Sequence, residues 1–182
     1  MKRALIHVDY SNDFVADDGV LTAGQPAQEI LPNVMRLTKE FYEQGEDIFI
    51  TMDTHIAGDP YHPETKLYPP HNIAGTWGHE LYGEMQIYYD EIKDSDHVHY
   101  IQKTRYSAFA GTDLDIRLRE RKVDTVVILG VATDICVLHT AMDAYNLGYQ
   151  IVVYEDTVAS FNPDGHTFAL NHIKSSLGGD VI

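Results

Sequence analysis

Runs of apolar residues alternate along the chain with segments in which apolar residues recur at helical spacing. The runs are short and rich in valine, isoleucine and leucine, which is typical of strands buried on both faces of a parallel sheet. We predict strands at residues 4–9, 47–52, 98–102, 126–129 and 150–154. Helical spacing predicts helices from residue 27 or 32 to 44, near 114–122, over 137–145 and over 165–177. This alternation predicts an α/β fold, with helices on both faces of a parallel sheet.

Three segments carry neither pattern clearly. Residues 10–26 are polar and contain glycine, so we expect a loop there. Residues 54–78 form a longer irregular stretch with four prolines and three histidines, and a loop of this length inside a compact domain is usually functional. Residues 83–97 are interpreted as a helix and its connection. No repeat or linker divides the chain, so we expect a single domain over residues 1–182.

Reactive side chains stand at the ends of four predicted strands. Asp9, Asp53 and Lys103 lie at or directly after the ends of three strands, and Cys136 follows the fourth after a short turn that begins at Gly130. In open α/β sheets, ligands bind at the carboxyl ends of the strands. We therefore expect these four side chains to converge on one edge of the sheet.

Cys136 is the only cysteine and lies where the helix over 137–145 should begin. A lone cysteine is most often a small buried hydrophobic residue, but unpaired N–H groups at a helix N-terminus favour a reactive thiolate. A nucleophilic thiol needs a base within hydrogen-bond reach. His139 should project from the helix rather than face its N-terminus, so Asp9 is the better candidate. Lys103 is either an ordinary surface lysine or, if it points into the cleft, a cation that stabilises both Asp9 and Cys136.

The long irregular stretch holds candidate metal ligands. Asp53 and His55 are one residue apart, so their side chains point to the same side if the strand geometry persists. His71 follows two prolines in the same loop, and one carboxylate with two histidines suits zinc, iron or manganese. Glu64 is a further candidate, and His62 competes with it. Asp-x-His pairs are common in polar loops, so this spacing alone leaves the metal undecided.

Composition narrows the class of protein. The chain of 182 residues is 44% hydrophobic and 23% charged, which is ordinary for a soluble globular protein. The formal net charge of −15 argues against nucleic acid or an anionic membrane as a partner. No apolar run approaches a membrane span, and the N-terminal residues do not resemble a signal peptide. A single cysteine fits a reducing compartment, so we expect a cytoplasmic protein.

Three segments, in the expected order, resemble the isochorismatase-like cysteine hydrolase superfamily: ALIHVDYSNDF, QKTRYSAF and LGVATDICVLHTAMDAYNLGYQIVVYEDTVAS. The resemblance covers nearly the whole chain and implies a three-layer αβα sandwich around a mainly parallel sheet. It also implies a catalytic triad of Asp9, Lys103 and Cys136. In that superfamily the peptide bond in the position of Val131–Ala132 is cis, and its suggested use is to aim the N–H groups of Ala132 and Cys136 at an oxyanion.

Two further segments, MDTHIAGDPYHPET and LYPPHNIAGTWGHEL, resemble the nicotinamidase branch of the superfamily. This resemblance implies that Asp53, His55 and His71 bind one divalent transition metal, with Glu64 as a fourth ligand either directly or through water. Zinc is the first expectation, and iron and manganese are the alternatives. The chain departs from the commoner pattern at Asn72, where many members carry a second cysteine, but this position lies outside the triad.

The resemblance also implies an aromatic pocket for a flat heteroaromatic ring. Phe14, Tyr68 and Tyr106 would form its walls, and Val131 and Ala132 would contact the substrate. The expected reaction is hydrolysis of nicotinamide to nicotinate and ammonia, a step of NAD salvage, through a thioester on the cysteine. Relatives commonly self-associate, so the resemblance implies a homo-oligomer.

Three other functions stay open at this point. One is a related cysteine amidohydrolase that acts on another small amide and needs no metal. Another is a non-catalytic protein that keeps the fold for binding or assembly, although all three triad residues are present. The third is a redox-sensing thiol protein, which would need a resolving cysteine or a partner, and the chain has no second cysteine.

Overall fold

The computed structural model describes all 182 residues and arranges them around one central sheet. Five strands match the predicted apolar runs, and two more were not predicted because two residues are too short to carry a pattern. The strands are β1 (Arg3–Val8), β2 (Asp47–Asp53), β3 (Val98–Lys103), β4 (Thr125–Val131), β5 (Gln150–Val153), β6 (Val158–Ala159) and β7 (Asp180–Val181). Their order is β3–β2–β1–β4–β5–β7, with β6 beside β4, and every pairing is parallel.

Helices cover both faces of this sheet. They are α1 (Asn12–Val15), α2 (Gln25–Glu29), α3 (Leu31–Glu43), α4 (Glu84–Ile92), α5 (Leu114–Glu120), α6 (Leu138–Asn146) and α7 (Pro163–Ser175). Single 3-10 turns cover Pro63–Lys66, Trp77–His79 and Glu155–Thr157, and a π-helical turn covers Thr133–Val137. Helices α5, α6 and α7 pack on one face, and α2, α3 and α4 pack on the other, which confirms the αβα sandwich. None of these helices is long and apolar enough to cross a membrane.

Successive side chains of the central strands point to opposite faces and feed two separate cores. In β1, Ala4, Ile6 and Val8 contribute to the core under α5, α6 and α7, whereas Leu5 contributes to the core on the other face. The two cores contain 23 and 21 buried residues. The strands read as continuous apolar runs because both of their faces are covered.

Two details of the predicted elements are wrong. Residues 10–26, expected as a loop, contain α1 and the start of α2, which are too short to show helical periodicity. The helix predicted over 137–145 begins at Leu138, and Cys136 lies in the π-helical turn before it. The sequence pattern does not distinguish this wide turn from an ordinary first helical turn, because a single turn is too short to show a period.

Candidate active site

Four neighbouring strands bring the predicted reactive residues to one edge of the sheet. Because β3, β2, β1 and β4 lie side by side, their carboxyl ends present Lys103, Asp53, Asp9 and the turn that carries Cys136 next to one another. Asp53 and Lys103 are direct partners in the register of β2 and β3. Asp9 follows β1 in a left-handed conformation, with φ at 53°, and its Oδ1 accepts a hydrogen bond from the Asp53 N–H at 2.7 Å.

A buried ion pair lies beside Cys136. Lys103 Nζ is 2.7 Å from Asp9 Oδ2, and neither side chain has any exposed surface. The same ammonium group donates to the carbonyl oxygen of Arg105 at 2.9 Å and lies 3.7 Å from Cys136 Sγ. A buried charge needs such partners because it has lost its contacts with water. Lys103 therefore points into the cleft and is not the surface residue that a lysine usually is.

Burial and neighbouring charges set the protonation states of these groups. Burial raises the pKa of Asp9 to about 6, while Lys103 acts in the opposite direction. Burial also raises the pKa of the Cys136 thiol well above its usual range, and Lys103 offsets this only in part. Before substrate binds, Cys136 is therefore a thiol rather than the thiolate that a helix N-terminus alone would favour.

The end of β4 approaches β1 very closely. Gly130 has a φ of 120°, and a Cβ atom at this position would lie 2.0 Å from the carbonyl oxygen of Val8. Only glycine fits there, because any side chain would push β4 away from β1. One residue further along, the Val131–Ala132 peptide bond is cis, as the resemblance implies.

The backbone N–H of Ala132, just before the π-helical turn that carries the cysteine, is an unused donor. The N–H groups of Ile135 and Val137 both donate to the carbonyl oxygen of Ala132, at 3.0 and 3.2 Å. The N–H of Ala132 itself donates to no other backbone group. Ala132 and Cys136 both line the same cavity, so this N–H can bind an oxygen atom that gains negative charge beside the sulfur.

Two carboxylates and two histidines gather at the start of the long loop, and we call them the metal cluster: Asp53, His55, Glu64 and His71. Their ligand-type atoms all lie within 4.8 Å of one another, and all four side chains are buried. Asp53 Oδ2 lies 2.8 Å from His55 Nε2 and 3.5 Å from His71 Nε2, which lies 3.4 Å from Glu64 Oε2. His71 Nδ1 hydrogen-bonds to the Pro69 carbonyl oxygen at 2.8 Å, an arrangement that places a proton on Nδ1 and frees Nε2 to coordinate.

The donor atoms of the metal cluster fit a divalent cation. Asp53 Oδ1 and His71 Nε2 are buried and have no hydrogen-bond partner in the protein, which is costly unless a ligand satisfies them. Burial lowers the pKa of His71, but the nearby carboxylates of Asp53 and Glu64 outweigh burial and raise it to about 10. The cluster therefore favours a positive charge at this point. Imidazole and carboxylate ligands together suit zinc, iron or manganese.

His62, which competes with Glu64 in the sequence, has no free nitrogen to offer. Its Nδ1 accepts the Glu64 N–H at 3.2 Å, and its Nε2 hydrogen-bonds to the carbonyl oxygen of Thr104 at 2.8 Å. The Glu64 carboxylate, by contrast, faces His71. The geometry therefore favours Glu64 over His62 as the fourth member of the metal cluster.

Asn72, which stands in place of a second cysteine, fixes the backbone next to His71. Its N–H donates to Asp13 Oδ2 at 2.7 Å, and its side-chain oxygen accepts from Ser11 Oγ at 2.8 Å. Both partners lie in the segment that follows β1. Asn72, where the chain departs from the commoner pattern, therefore joins the metal cluster to the segment after Asp9.

A cavity of about 430 Å³ connects Cys136 with the metal cluster, a volume typical of small-molecule sites. Its walls include all five residues predicted to contact substrate, which are Phe14, Tyr68, Tyr106, Val131 and Ala132. The rings of Phe14 and Tyr68 lie 5.6 and 6.1 Å from the ring of His71, so the aromatic walls begin at the metal cluster. The cavity therefore places apolar and aromatic side chains beside both the metal cluster and the sulfur.

Sequence reasoning missed five apolar residues of this cavity: Val20, Leu21, Ala23, Ile135 and Phe161. Ile135 could have been found, because it precedes Cys136 in the same tight turn. Val20 and Leu21 lie in the segment taken for a featureless loop. Phe161, with 58% of its surface exposed, lies in the connection between β6 and α7, where no pattern in the sequence marks it.

Comparisons with known proteins agree with this architecture. Residues 3–182 match the family model described as the isochorismatase domain. The structure is similar to that of nicotinamidase/pyrazinamidase PncA from Bacillus subtilis, at 54% identity and a TM-score of 0.98 over 100% of this chain and 99% of that one. It is also similar to pyrazinamidase/nicotinamidase from Streptococcus mutans UA159, at 57% identity and a TM-score of 0.97 over 100% of both chains. The pyrazinamidase of Pyrococcus horikoshii, solved in complex with zinc, is 31% identical, with a TM-score of 0.86 over 100% of this chain and 99% of that one.

Proposed function

The chain belongs to the isochorismatase family, and from this membership and the geometry of the site we propose that it hydrolyses nicotinamide to nicotinate and ammonia through a thioester on Cys136. One observation carries the proposal. The cavity has the Cys136 thiol at one end, with the buried Asp9–Lys103 pair beside the sulfur, and Asp53, Glu64 and His71 of the metal cluster at the other. Relatives that are named nicotinamidases support this choice of substrate.

The two ends of the cavity match the two polar ends of nicotinamide. A divalent metal held by the metal cluster would bind the ring nitrogen and so orient the ring, and the zinc complex of the Pyrococcus relative supports zinc as that ion. Phe14 and Tyr68 offer apolar faces against which a flat ring can stack. The carboxamide then extends toward Cys136.

The chain's own residues supply the chemistry of the first half-reaction. Asp9 takes the proton of the Cys136 thiol, and the sulfur attacks the amide carbon. The carbonyl oxygen becomes an oxyanion that the N–H groups of Ala132 and Cys136 stabilise; loss of one such donor typically costs about 10²–10³ in rate. Protonated Asp9 then gives its proton to the leaving nitrogen, the carbon–nitrogen bond breaks, and ammonia departs.

The second half-reaction restores the cysteine. Asp9, again a carboxylate, takes a proton from a water molecule as its oxygen attacks the thioester carbon. The carbon–sulfur bond breaks and the sulfur regains the proton from Asp9. The nicotinic acid that forms loses the other proton of the water molecule to solvent and leaves as nicotinate. Lys103 stabilises the Asp9 carboxylate before the proton transfer and the Cys136 thiolate after it, and it keeps its positive charge in both states.

Ammonia release tests this proposal, with nicotinamide and benzamide as a matched pair of substrates. Benzamide has the same shape but lacks the ring nitrogen, so we expect turnover of nicotinamide and much slower turnover of benzamide. A chelator should abolish the advantage of nicotinamide, and added zinc should restore it. Equal turnover of the two amides, unaffected by the chelator, would instead favour the metal-independent amidohydrolase.

A further inference from the structure

His62 is a buried histidine to which neither the proposed reaction nor the metal cluster assigns a task. Only 8% of its surface is exposed. Its ring centroid lies 4.2 Å from that of His55, with the two planes at 59°. A histidine this deeply buried needs partners for both ring nitrogens, and the identity of those partners indicates its role.

Both nitrogens of His62 bind backbone groups, one in the turn that follows it and one at the end of β3. Nδ1 accepts the N–H of Glu64 at 3.2 Å, so His62 is the N-cap of the 3-10 turn Pro63–Lys66. Nε2 donates to the carbonyl oxygen of Thr104, the residue after Lys103, at 2.8 Å. One neutral tautomer, with its proton on Nε2, satisfies both contacts. Neither nitrogen is left to coordinate an ion.

These contacts act on the backbone that carries Glu64. The turn Pro63–Lys66 has four residues, and so short a 3-10 turn has little stability of its own. His62 accepts a hydrogen bond from the first N–H of the turn, that of Glu64. Its contact with Thr104 anchors the turn to the end of β3. The Glu64 carboxylate is thereby held 3.4 Å from His71 Nε2, at the edge of the metal cluster.

We propose that His62 is a positioning residue that holds Glu64 in the ligand set of the metal cluster. It contacts neither metal nor substrate and acts through the cap on the Glu64 N–H. This inference rests on the metal site of the proposed function. Partners that orient metal ligands typically contribute about 10–100-fold to metal affinity, and we expect a loss of that size when the cap is removed.

The test compares the zinc affinities of wild type, His62→Asn and His62→Gln. Each protein is first stripped of metal, and its zinc affinity is then measured by competition with a chromophoric chelator. The two variants are close in size and polarity. The asparagine oxygen can accept the Glu64 N–H as an N-cap, whereas the longer glutamine can reach Thr104 but places no acceptor at the cap. We expect His62→Asn to stay within a fewfold of wild type and His62→Gln to lose about 10–100-fold. Equal affinities for the two variants would overturn the proposal.

A second comparison shows whether the effect passes through Glu64. His62→Gln should weaken zinc binding in the wild-type background but add no further loss in Glu64→Gln protein, because the ligand that it positions is then already absent. The same loss in both backgrounds would overturn the proposal and show that His62 acts elsewhere. With cobalt in place of zinc, His62→Gln and Glu64→Gln should change the visible spectrum in the same way. If wild type binds no zinc, the proposed metal site fails; if wild type binds zinc and all His62 variants bind it equally, only the role of His62 fails.

Discussion

Replacement of Lys103 by methionine tests whether the ion pair beside the cysteine is isolated from water. Lys103 Nζ and Asp9 Oδ2 are 2.7 Å apart, and both side chains are fully buried. Methionine fills much of the same volume without the charge, so the buried Asp9 carboxyl loses its cation and keeps the Asp53 N–H as its main remaining partner. Removal of one member of a buried pair costs about 3–5 kcal/mol, whereas an exposed pair contributes about 0–1 kcal/mol. We expect the free energy of unfolding to fall by the larger amount.

The double variant Asp9→Asn/Lys103→Met separates stability from catalysis. It removes both charges, and the asparagine oxygen can still accept the Asp53 N–H, so most of the lost stability should return. It removes the proposed base as well, so turnover of nicotinamide should stay absent. Stability is measured by urea unfolding of the metal-free proteins at neutral pH, monitored by circular dichroism. Activity is measured as ammonia release from nicotinamide by the zinc-loaded proteins. The reasoning is refuted if Lys103→Met costs less than about 1 kcal/mol, or if the double variant is no more stable than the single one.

Two other substitutions test the walls of the site. Gly130→Ala should lower the free energy of unfolding by about 1–3 kcal/mol or more, since the new Cβ would lie 2.0 Å from the Val8 carbonyl oxygen; a urea titration that finds no loss would contradict this packing. Phe161→Ala should change stability by no more than about 0.5 kcal/mol, because the ring is 58% exposed. In initial-rate measurements it should raise KM for nicotinamide at unchanged kcat, and a lower kcat at unchanged KM would contradict its placement at the cavity wall.

The sheet and the meeting point of the reactive residues are the parts that the sequence predicts best. Buried parallel strands need apolar residues on both faces, so β1 to β5 stand out as apolar runs. Because all strands of a parallel sheet end at the same edge, Asp9, Asp53 and Lys103 could be expected to meet without any knowledge of their distances. The short strands β6 and β7 and the helix α1 were missed, because elements of two to four residues carry no period.

The fine geometry of the site lay outside sequence reasoning for physical reasons. The burial that raises the pKa of Cys136 comes from residues far apart in the chain, so the helix N-terminus alone suggested the wrong protonation state. The choice between His62 and Glu64 depends on which backbone groups surround His62, and only the path of the loop past Thr104 decides it. The cis bond at Val131–Ala132 was implied by the resemblance alone, since no residue type marks a non-proline cis bond.

The most direct test of the central claim, covalent catalysis by Cys136, is the rate of ammonia release from nicotinamide by Cys136→Ala protein loaded with zinc. The account predicts a fall in kcat of at least about a thousandfold, with zinc content and substrate affinity retained, because the metal cluster and the aromatic walls do not include the sulfur. Turnover at close to the wild-type rate would contradict the thioester mechanism.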